Sequence, residues 1–226
     1  MNCCVLLPAY NEENAIAQVV AEIKEHGYPV VVVDDGSQDR TADFAEQAGA
    51  VVFRHKQNKG KGQALRTGFA YALQQGYDAV IILDADGQHA ADEIATFVDK
   101  AQQSPAGIII GNRMHKPLGM PWVRWATNHV TSAVVSRIIK ARVPDSQCGF
   151  RLIRRPVIEQ ITLSTDKFDT ETEILFEASR RGFAIESVPI RTIYAGEKSK
   201  IHPLLDTIRF GRLIADFLFR KGRHGF

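Results

Sequence analysis

The residues best suited to chemistry lie in the segment Asp84-Ala85-Asp86-Gly87-Gln88, directly after an apolar run. Two carboxylates separated by one residue, in the bend that ends a strand, can both turn toward one hard cation. Mg²⁺ and Mn²⁺ prefer such oxygen ligands, and Mg²⁺ commonly shares them with substrate phosphates. The alternative is a solvated turn that binds nothing. The pattern predicts a divalent-metal site at Asp84, Asp86 and Gln88.

Two further polar clusters also follow apolar runs. Asp34-Asp35-Gly36-Ser37 comes after a valine run, and a carboxylate there can accept hydrogen bonds from a ribose or a base. In Pro8-Ala9-Tyr10-Asn11-Glu12, the tyrosine could stack on a base and the glutamate could hold a ribose or a base edge. Both clusters also suit a local role, in which Ser37 and Asn11 cap the helices that follow.

Groups that could meet phosphates are scattered through the chain. Arg113 is a candidate diphosphate partner because a guanidinium matches phosphate geometry; a surface arginine is the alternative. Asn58-Lys59-Gly60-Lys61-Gly62 lacks the GxxxxGK[ST] spacing of a P-loop, so that interpretation is rejected. Its glycines and amides favour anions at a helix start, although a plain loop suits the lysines individually. The polar break Asp145 to Arg151 indicates, by itself, only a loop.

Short apolar runs that alternate with amphipathic patterns must position these residues. Strands are expected over 3–7, 30–33, 51–53, 79–83, 107–110 and 185–190. Helices are expected over 14–24, 41–48, 63–75, 122–139 and 169–181. Fully apolar strands separated by helices predict an α/β fold with a mostly parallel sheet and helices on both faces. Ligands bind at the carboxyl ends of such strands, so we expect the polar clusters to converge on one edge.

Composition and charge restrict the classes of protein. The 226 residues are 45% hydrophobic and 24% charged, which is ordinary for a soluble domain with a substantial core. A net charge of +2 implies no general attraction to nucleic acid. Cys3, Cys4 and Cys148 form neither a disulfide framework nor a zinc pattern, which favours a reducing cytoplasm. We expect no signal peptide and, without an apolar stretch of about 18 residues, no membrane-spanning helix.

Together the motifs resemble family 2 glycosyltransferases, and specifically their dolichyl-phosphate mannosyltransferase-like branch. The matching segments span residues 3 to about 200 in the family's order: LLPAYNEE, VVVDDGSQDRT, NKGKGQALRTGF, ILDADGQH, GNR, DSQCGFRL and GEKSK. DADGQH together with DDGS and QCGFR is highly specific, whereas each alone is not. The resemblance implies a GT-A fold, with a nucleotide-binding sheet and an acceptor side built from the second half.

The resemblance also implies roles for single residues. Those expected at the nucleotide-sugar are Pro8, Tyr10, Glu12, Asp35, Asp84, Ala85 and Arg113, the first four at the nucleoside and Arg113 at the diphosphate. The implied ligands of Mg²⁺ or Mn²⁺ are Asp84, Asp86 and Gln88. Lys200 and Arg151 are expected on the acceptor side. Around Lys200 the chain departs from the polyprenyl-phosphate enzymes, with Glu197 and Tyr194 in place of glycine and arginine; Arg191 or Lys198 are candidate substitutes.

The implied reaction is inverting transfer of mannose or glucose from GDP-mannose or UDP-glucose to a polyprenyl phosphate, with Asp86 and Arg113 as catalytic residues. A phosphate acceptor is already an anion and needs no base. A carbohydrate or protein hydroxyl, the alternative acceptor, needs one, and Asp169 is the candidate unless it caps the next helix. Two other classes compete: a receiver-type signalling domain, disfavoured by length and by the further motifs, and a nucleotide-sugar-binding subunit without catalysis.

The end of the chain suggests where the enzyme works. One domain is expected over residues 1–202, followed by a basic amphipathic helix over 203–226. Such a helix can lie on an anionic membrane, pack on its own domain or bind a partner subunit. We therefore expect a cytoplasmic protein that is peripheral on the cytoplasmic face of a membrane if its acceptor is a lipid.

Overall fold

A single sheet and its helices make up the part of the chain that the structure, a computed structural model, describes: residues 1–115, 120–165 and 170–191, with Gly211, Ile214, Ala215 and Phe217. The strands are β1 (Cys3–Ala9), β2 (Val30–Asp34), β3 (Val51–Arg54), β4 (Ala79–Ile82), β5 (Ile108–Asn112), β6 (Arg151–Arg154) and β7 (Ile185–Pro189). The helices are α1 (Ile16–Glu25), α2 (Thr41–Gln47), α3 (Lys61–Gln74), α4 (Ile94–Gln103), α5 (Trp122–Ile139), α6 (Arg155–Gln160) and α7 (Thr170–Arg180). Short 3₁₀ turns occupy Ala91–Glu93 and Arg113–His115.

The strand order is β3-β2-β1-β4-β6-β5-β7, and β6 alone among these strands runs against the others. Every residue of β2 and β4 is buried, so helices cover both faces of the sheet there. The predicted α/β fold with a mostly parallel sheet is therefore confirmed.

The position of β1 decides where a ligand can bind. The chain adds β2 and β3 on one side of β1 and then crosses to place β4 on its other side. Loops that leave the carboxyl ends of β1 and β4 consequently separate and open a crevice between them. The segments after these two strands are the Tyr10–Glu12 and Asp84–Gln88 clusters, so the topology brings them to one crevice.

Helix α3 packs unusually close to β1 above this crevice. A β-carbon built on Gly68 would lie 2.3 Å from Leu6 Cδ1, far inside van der Waals contact. Glycine at this position lets the helix approach the central strand. Because α3 begins at Lys61, this close packing also fixes the start of the helix relative to the sheet.

Three elements were not expected from the sequence: α4, β6 and α6. The consequential one is β6, which enters the sheet antiparallel between β4 and β5. Its first residue, Arg151, therefore lies at the edge where the other strands end. The loop that precedes it, Asp145 to Phe150, arrives at the same crevice, although the sequence alone identified it only as a loop.

The described residues of the C-terminal tail are helical, and one of them packs on the domain. The Phe217 ring stacks on Phe176 of α7 at 4.5 Å between centroids, with the Arg180 guanidinium 4.8 Å from the Phe217 centroid. This contact favours one of the three alternatives for the tail, packing on its own domain, and the predicted domain boundary at residue 202 stays a prediction. The rest of the predicted helix over 203–226 lies outside the described residues.

Candidate active site

The loops after β1 and β2 are fastened to each other. Asn11, in the left-handed backbone region (φ 55°), accepts a hydrogen bond from the Gln38 amide at 2.9 Å. The Asn11 amide donates to Ser37 Oγ at 2.9 Å, and the Ser37 amide donates to Asp34 Oδ1 at 3.1 Å. Neither Asn11 nor Ser37 caps the following helix, because neither α1 nor α2 has a side-chain cap. Their capping role was wrong; they join the two loops instead.

The residues expected at a nucleoside lie along this joined edge. Pro8 and Glu12 are partly buried, and the Glu12 amide donates to Thr41 Oγ1 at 2.8 Å. Tyr10 is 38% exposed, which leaves its ring accessible to a base. Their contacts with a nucleoside stay predictions.

Asp35 stabilises the loop before α3, a role that the sequence did not indicate. Its buried carboxylate accepts hydrogen bonds from the Lys59 amide at 3.0 Å and the Gly60 amide at 2.6 Å. His55 Nδ1 lies 2.7 Å from Asp35 Oδ1. The carboxylate thus holds the loop that leads into α3, and a nucleoside would have to compete with these donors for it.

Lys61, the first residue of α3, reaches into the crevice. Its Nζ lies 2.6 Å from Asp84 Oδ1 and 2.6 Å from Glu171 Oε1, and its side chain is 19% exposed. His89 Nε2 lies 3.7 Å from the other oxygen of Asp84. The sequence pattern favoured a plain loop at Lys61 and indicated no role for Glu171, but both residues belong to the site.

Charge pairing outweighs burial at this cluster. Burial would lower the pKa of the Lys61 ammonium, but Asp84 and Glu171 raise it above its ordinary value. For Asp84, burial would raise the pKa, yet the charge of Lys61, with help from His89, holds it well below its usual range. Asp84 is therefore an anion and Lys61 a cation at neutral pH.

The turn after β4 has the groups that a divalent cation needs. Asp86 Oδ1 accepts from the Gln88 amide at 3.0 Å, and Gly87 supplies a positive φ of 74°. Ala85 is buried between the two acids. Asp84 already presents an oxygen to a cation, the Lys61 ammonium, so the donor set fits Mg²⁺ or Mn²⁺. In the described part of the chain no three acidic, histidine or cysteine side chains form a metal cluster.

Gly149 brings the loop before β6 against this turn. A β-carbon at this position would lie 2.3 Å from Asp84 Oδ2, so only glycine leaves room for the carboxylate. The next residue, Phe150, stacks on Phe97 at 4.1 Å and meets the His89 ring edge-on at 5.4 Å. Aromatic packing thus fixes the glycine beside Asp84.

Arg113 lies at the carboxyl end of β5 and is bound by Asp145. Its Nε donates to Asp145 Oδ2 at 2.8 Å and its Nη2 to Oδ1 at 3.0 Å; Asn128 Nδ2 donates to the same carboxylate at 2.7 Å. Burial would raise the pKa of Asp145, but Arg113 and Asn128 lower it. Any contact with a diphosphate would be made by a guanidinium that Asp145 already orients.

Arg151 does not fit its predicted place on the acceptor side. The side chain is fully buried, with Nε donating to Cys148 O at 2.7 Å and Nη2 to Ser146 O at 2.8 Å. Its Nη1 donates to the carbonyl of Glu171. A guanidinium used in this way joins the loop before β6 to the start of α7, and its full burial leaves it no exposure to an acceptor.

The remaining acceptor-side predictions fall largely outside the described residues. These are Asp169, Tyr194, Glu197, Lys198 and Lys200. Arg191 is described, and its guanidinium pairs with Asp92 at 2.6 Å and Glu93 at 3.1 Å. Arg191 was a candidate substitute for the family arginine that Tyr194 replaces, but its guanidinium is already paired with these two carboxylates.

Comparison with known proteins places the chain. Residues 4–162 match the family described as Glycosyl transferase family 2, and the chain belongs to this family. It is a glycosyltransferase, as the motifs predicted.

Relatives and a solved structure refine this placement. The chain is 30% identical over 213 residues to the UDP-N-acetylglucosamine–dolichyl-phosphate N-acetylglucosaminyltransferase of Methanococcus voltae, covering 84% of this chain and 85% of the relative. It is 31% identical over 202 residues to the polyprenol monophosphomannose synthase of Mycolicibacterium smegmatis, covering 82% and 75%. Glucosyl-3-phosphoglycerate synthase from Mycobacterium tuberculosis, solved with Mn²⁺, UDP and glucosyl-3-phosphoglycerate, superposes with a TM-score of 0.70 at 20% identity, covering 98% and 80%. The predicted GT-A fold and the resemblance to polyprenyl-phosphate sugar transferases are confirmed.

Proposed function

We propose that this enzyme moves a hexose, mannose or glucose, from a nucleotide-diphosphate sugar to a polyprenyl phosphate with inversion at the anomeric carbon. The observation that carries the proposal is the ion pair of Lys61 with Asp84 in the crevice between β1 and β4, at the turn that also contains Asp86. Two acids and a lysine at a helix start suit a diphosphate with a divalent cation. The relatives named for dolichyl-phosphate and polyprenol substrates support the lipid acceptor.

In this proposal Asp84, Asp86 and Gln88 hold Mg²⁺ or Mn²⁺. The metal, when bound, neutralises charge that develops on the leaving nucleoside diphosphate. Tyr10 offers its exposed ring to the base, and Lys61 adds a fixed positive charge beside the diphosphate. Arg113, oriented by Asp145, faces the same leaving group. A lipid phosphate needs no deprotonation, so Asp169 is required as a base only for a hydroxyl acceptor.

Helix α5 supports a location at a membrane surface. The side chains that it buries against the domain include Asn128 and Ser132, whereas its exposed apolar residues are Trp122 (78%), Val123 (56%), Trp125 (43%) and Val130 (65%). The usual pattern, with apolar side chains inward, is reversed over these turns. An apolar surface must therefore be expected to cover this face.

Charge indicates what that surface is. Residues 113–144 contain six lysines and arginines and no aspartate or glutamate. A basic segment that presents tryptophans matches an anionic lipid surface, because tryptophan favours the membrane interface and basic side chains are attracted to anionic headgroups. Among the described residues no helix is long and apolar enough to span a membrane. We propose that α5 rests on the cytoplasmic face, near the lipid acceptor.

A transfer assay tests the proposed activity. Purified protein with Mn²⁺ or Mg²⁺ and a polyprenyl phosphate is given labelled GDP-mannose, UDP-glucose or UDP-N-acetylglucosamine, and label is counted in the organic phase. The expected result is labelled lipid with one donor, lost in Asp86→Asn. Asp78→Asn, at the opposite edge of the sheet, is the matched control and should remain active. If the protein binds the nucleotide-sugars but no lipid is labelled, polyprenyl phosphate is not the acceptor.

A further inference from the structure

Lys61 is shared between two carboxylates, of which only Asp84 belongs to the proposed metal site. Its Nζ is 2.6 Å from each of them. The Asp84 side chain is 32% exposed, whereas the Glu171 side chain is 9% exposed. Glu171 Oε2 is buried without a hydrogen-bond partner in the part of the chain that the structure describes. Glu171 thus has unused acceptor capacity beside the lysine.

The lysine and a metal compete for Asp84. A cation bound to Asp84 would share this carboxylate with an ammonium that is already within hydrogen-bond distance of Oδ1. Like charges this close repel each other strongly in a partly buried site. Binding of the metal should therefore be accompanied by a change of partner at Lys61.

The backbones around the lysine are fixed, so the change is confined to side chains. Asp35 holds the amides of Lys59 and Gly60 just before α3. Arg151 donates to the carbonyl of Glu171 at the start of α7. Lys61 keeps its place at the helix start, and its flexible side chain can turn from one carboxylate to the other.

We propose that Lys61 is a positioning residue that neutralises Asp84 until metal binds and is then retained by Glu171. This inference rests on the proposed function and adds to it a partner exchange. Retention by Glu171 keeps the ammonium in the crevice, where it faces the diphosphate of the donor. Glu171 thereby determines how readily Asp84 is released to the metal.

Metal affinity tests the exchange with changes of opposite sign. Mn²⁺ binding is measured by electron paramagnetic resonance and calorimetry, without nucleotide and with UDP or GDP. Glu171→Gln should weaken Mn²⁺ binding on the order of tenfold, because Lys61 then pairs with Asp84 alone. Adding Lys61→Met to that variant should restore the affinity to the wild-type value or above it, since the competing charge is gone.

The double variant also avoids the folding problem of Lys61→Met alone, which would leave two partly buried carboxylates unpaired. The control is Lys100→Met with Glu186→Gln, a pair that joins α4 and β7 away from the turn and should leave Mn²⁺ affinity unchanged. Circular dichroism verifies that each variant is folded.

Three results would overturn the inference. A double variant that binds Mn²⁺ no better than Glu171→Gln would make Lys61 and Glu171 a structural ion pair only. Wild-type protein that binds no Mn²⁺, with or without nucleotide, would remove the metal from the proposed function and the exchange with it. If the wild-type protein binds Mn²⁺ and transfers sugar, and the variants have the same Mn²⁺ affinity as the wild type, only the partner exchange is refuted and the proposed function stands.

Discussion

The two sides of the crevice hold their acidic residues by different means. On the β1–β2 side, Asp35 accepts mainly from backbone amides of the loop before α3, and Asp34 accepts from the amide and hydroxyl of Ser37 in its own turn. On the β4–β5 side, Asp84 and Asp145 are held mainly by the cations of Lys61 and Arg113. An amide moves only when its loop rearranges, whereas a side-chain cation can exchange partners. The first side is therefore a rigid frame, and the second can exchange charges with a substrate.

The largest effect on stability is expected when a carboxylate held by amides, Asp35, is replaced rather than one held by a cation, Asp84. Asp35→Ala removes the buried carboxylate that accepts from the amides of Lys59 and Gly60, and it should lower the free energy of unfolding by about 1–3 kcal/mol. Asp84→Asn should lower it by about 1 kcal/mol or less, because Lys61 keeps its pairing with Glu171 and the Asp84 side chain, which is 32% exposed, is partly screened by solvent. Urea denaturation measures both. Equal losses would show that both sides are equally structural.

Gly149 tests whether the orientation of Asp84 matters on the β4–β5 side of the crevice. Its replacement by alanine forces the Asp84 carboxylate to move, and overpacking of about 1–3 kcal/mol should weaken Mn²⁺ binding about tenfold. Gly211→Ala is the control, since a β-carbon there meets open space. Unchanged affinity in Gly149→Ala would mean that the orientation of Asp84 is not needed for the metal.

Helix α5 extends the second side toward the lipid. Replacing Trp122 and Trp125 by serine removes two large apolar anchors and should weaken binding to phosphatidylglycerol vesicles several-fold, up to about tenfold. Sedimentation with anionic and neutral vesicles measures this, and Val51→Ser on β3 is an exposed apolar control. If the wild-type protein ignores vesicles but dimerises through these tryptophans, a second copy covers α5 and the membrane proposal fails.

The smallest effect is expected at the cysteines, which belong to neither side. Burial raises the pKa of Cys4 and of Cys148 to about 12, and it also raises that of Cys3. All three thiols stay neutral at physiological pH, so they should be unreactive toward a disulfide reagent until the protein unfolds. Rapid labelling of the native protein would show that the sheet opens locally.

The β1–β2 side of the crevice could be predicted from the sequence better than the β4–β5 side, because local patterns specify strands but not distant ion-pair partners. Apolar runs such as Val30 to Val33 specify buried parallel strands, and parallel strands bring their carboxyl ends to one edge. This placed Asp35 and Asp84 correctly at the edge of the sheet where the parallel strands end. The charge network of Asp84 could not be found in the same way. Its partner Lys61 lies 23 residues before it, and Glu171, which shares that lysine, meets it only in the folded chain.

Other differences have particular causes. Helix α4 was missed although Ile94, Phe97 and Ala101 have helical spacing. Strand β6 was missed because only two of its four residues are apolar and an arginine stands at each end, so it lacks the apolar run that marks a buried strand. Arg151 was assigned to the acceptor from its motif, but burial assigns its guanidinium to backbone carbonyls. A motif thus located the loop correctly without revealing which way its arginine points.

The most direct test of the central claim compares polyprenyl phosphate with the corresponding polyprenol as acceptors for one labelled donor. We expect label in the phosphate lipid only, because the proposed site offers a metal and cationic side chains to phosphates. A hydroxyl acceptor would need Asp169 as its base. Equal transfer to the polyprenol, lost on Asp169→Asn, would contradict the phosphate acceptor and establish a hydroxyl glycosyltransferase.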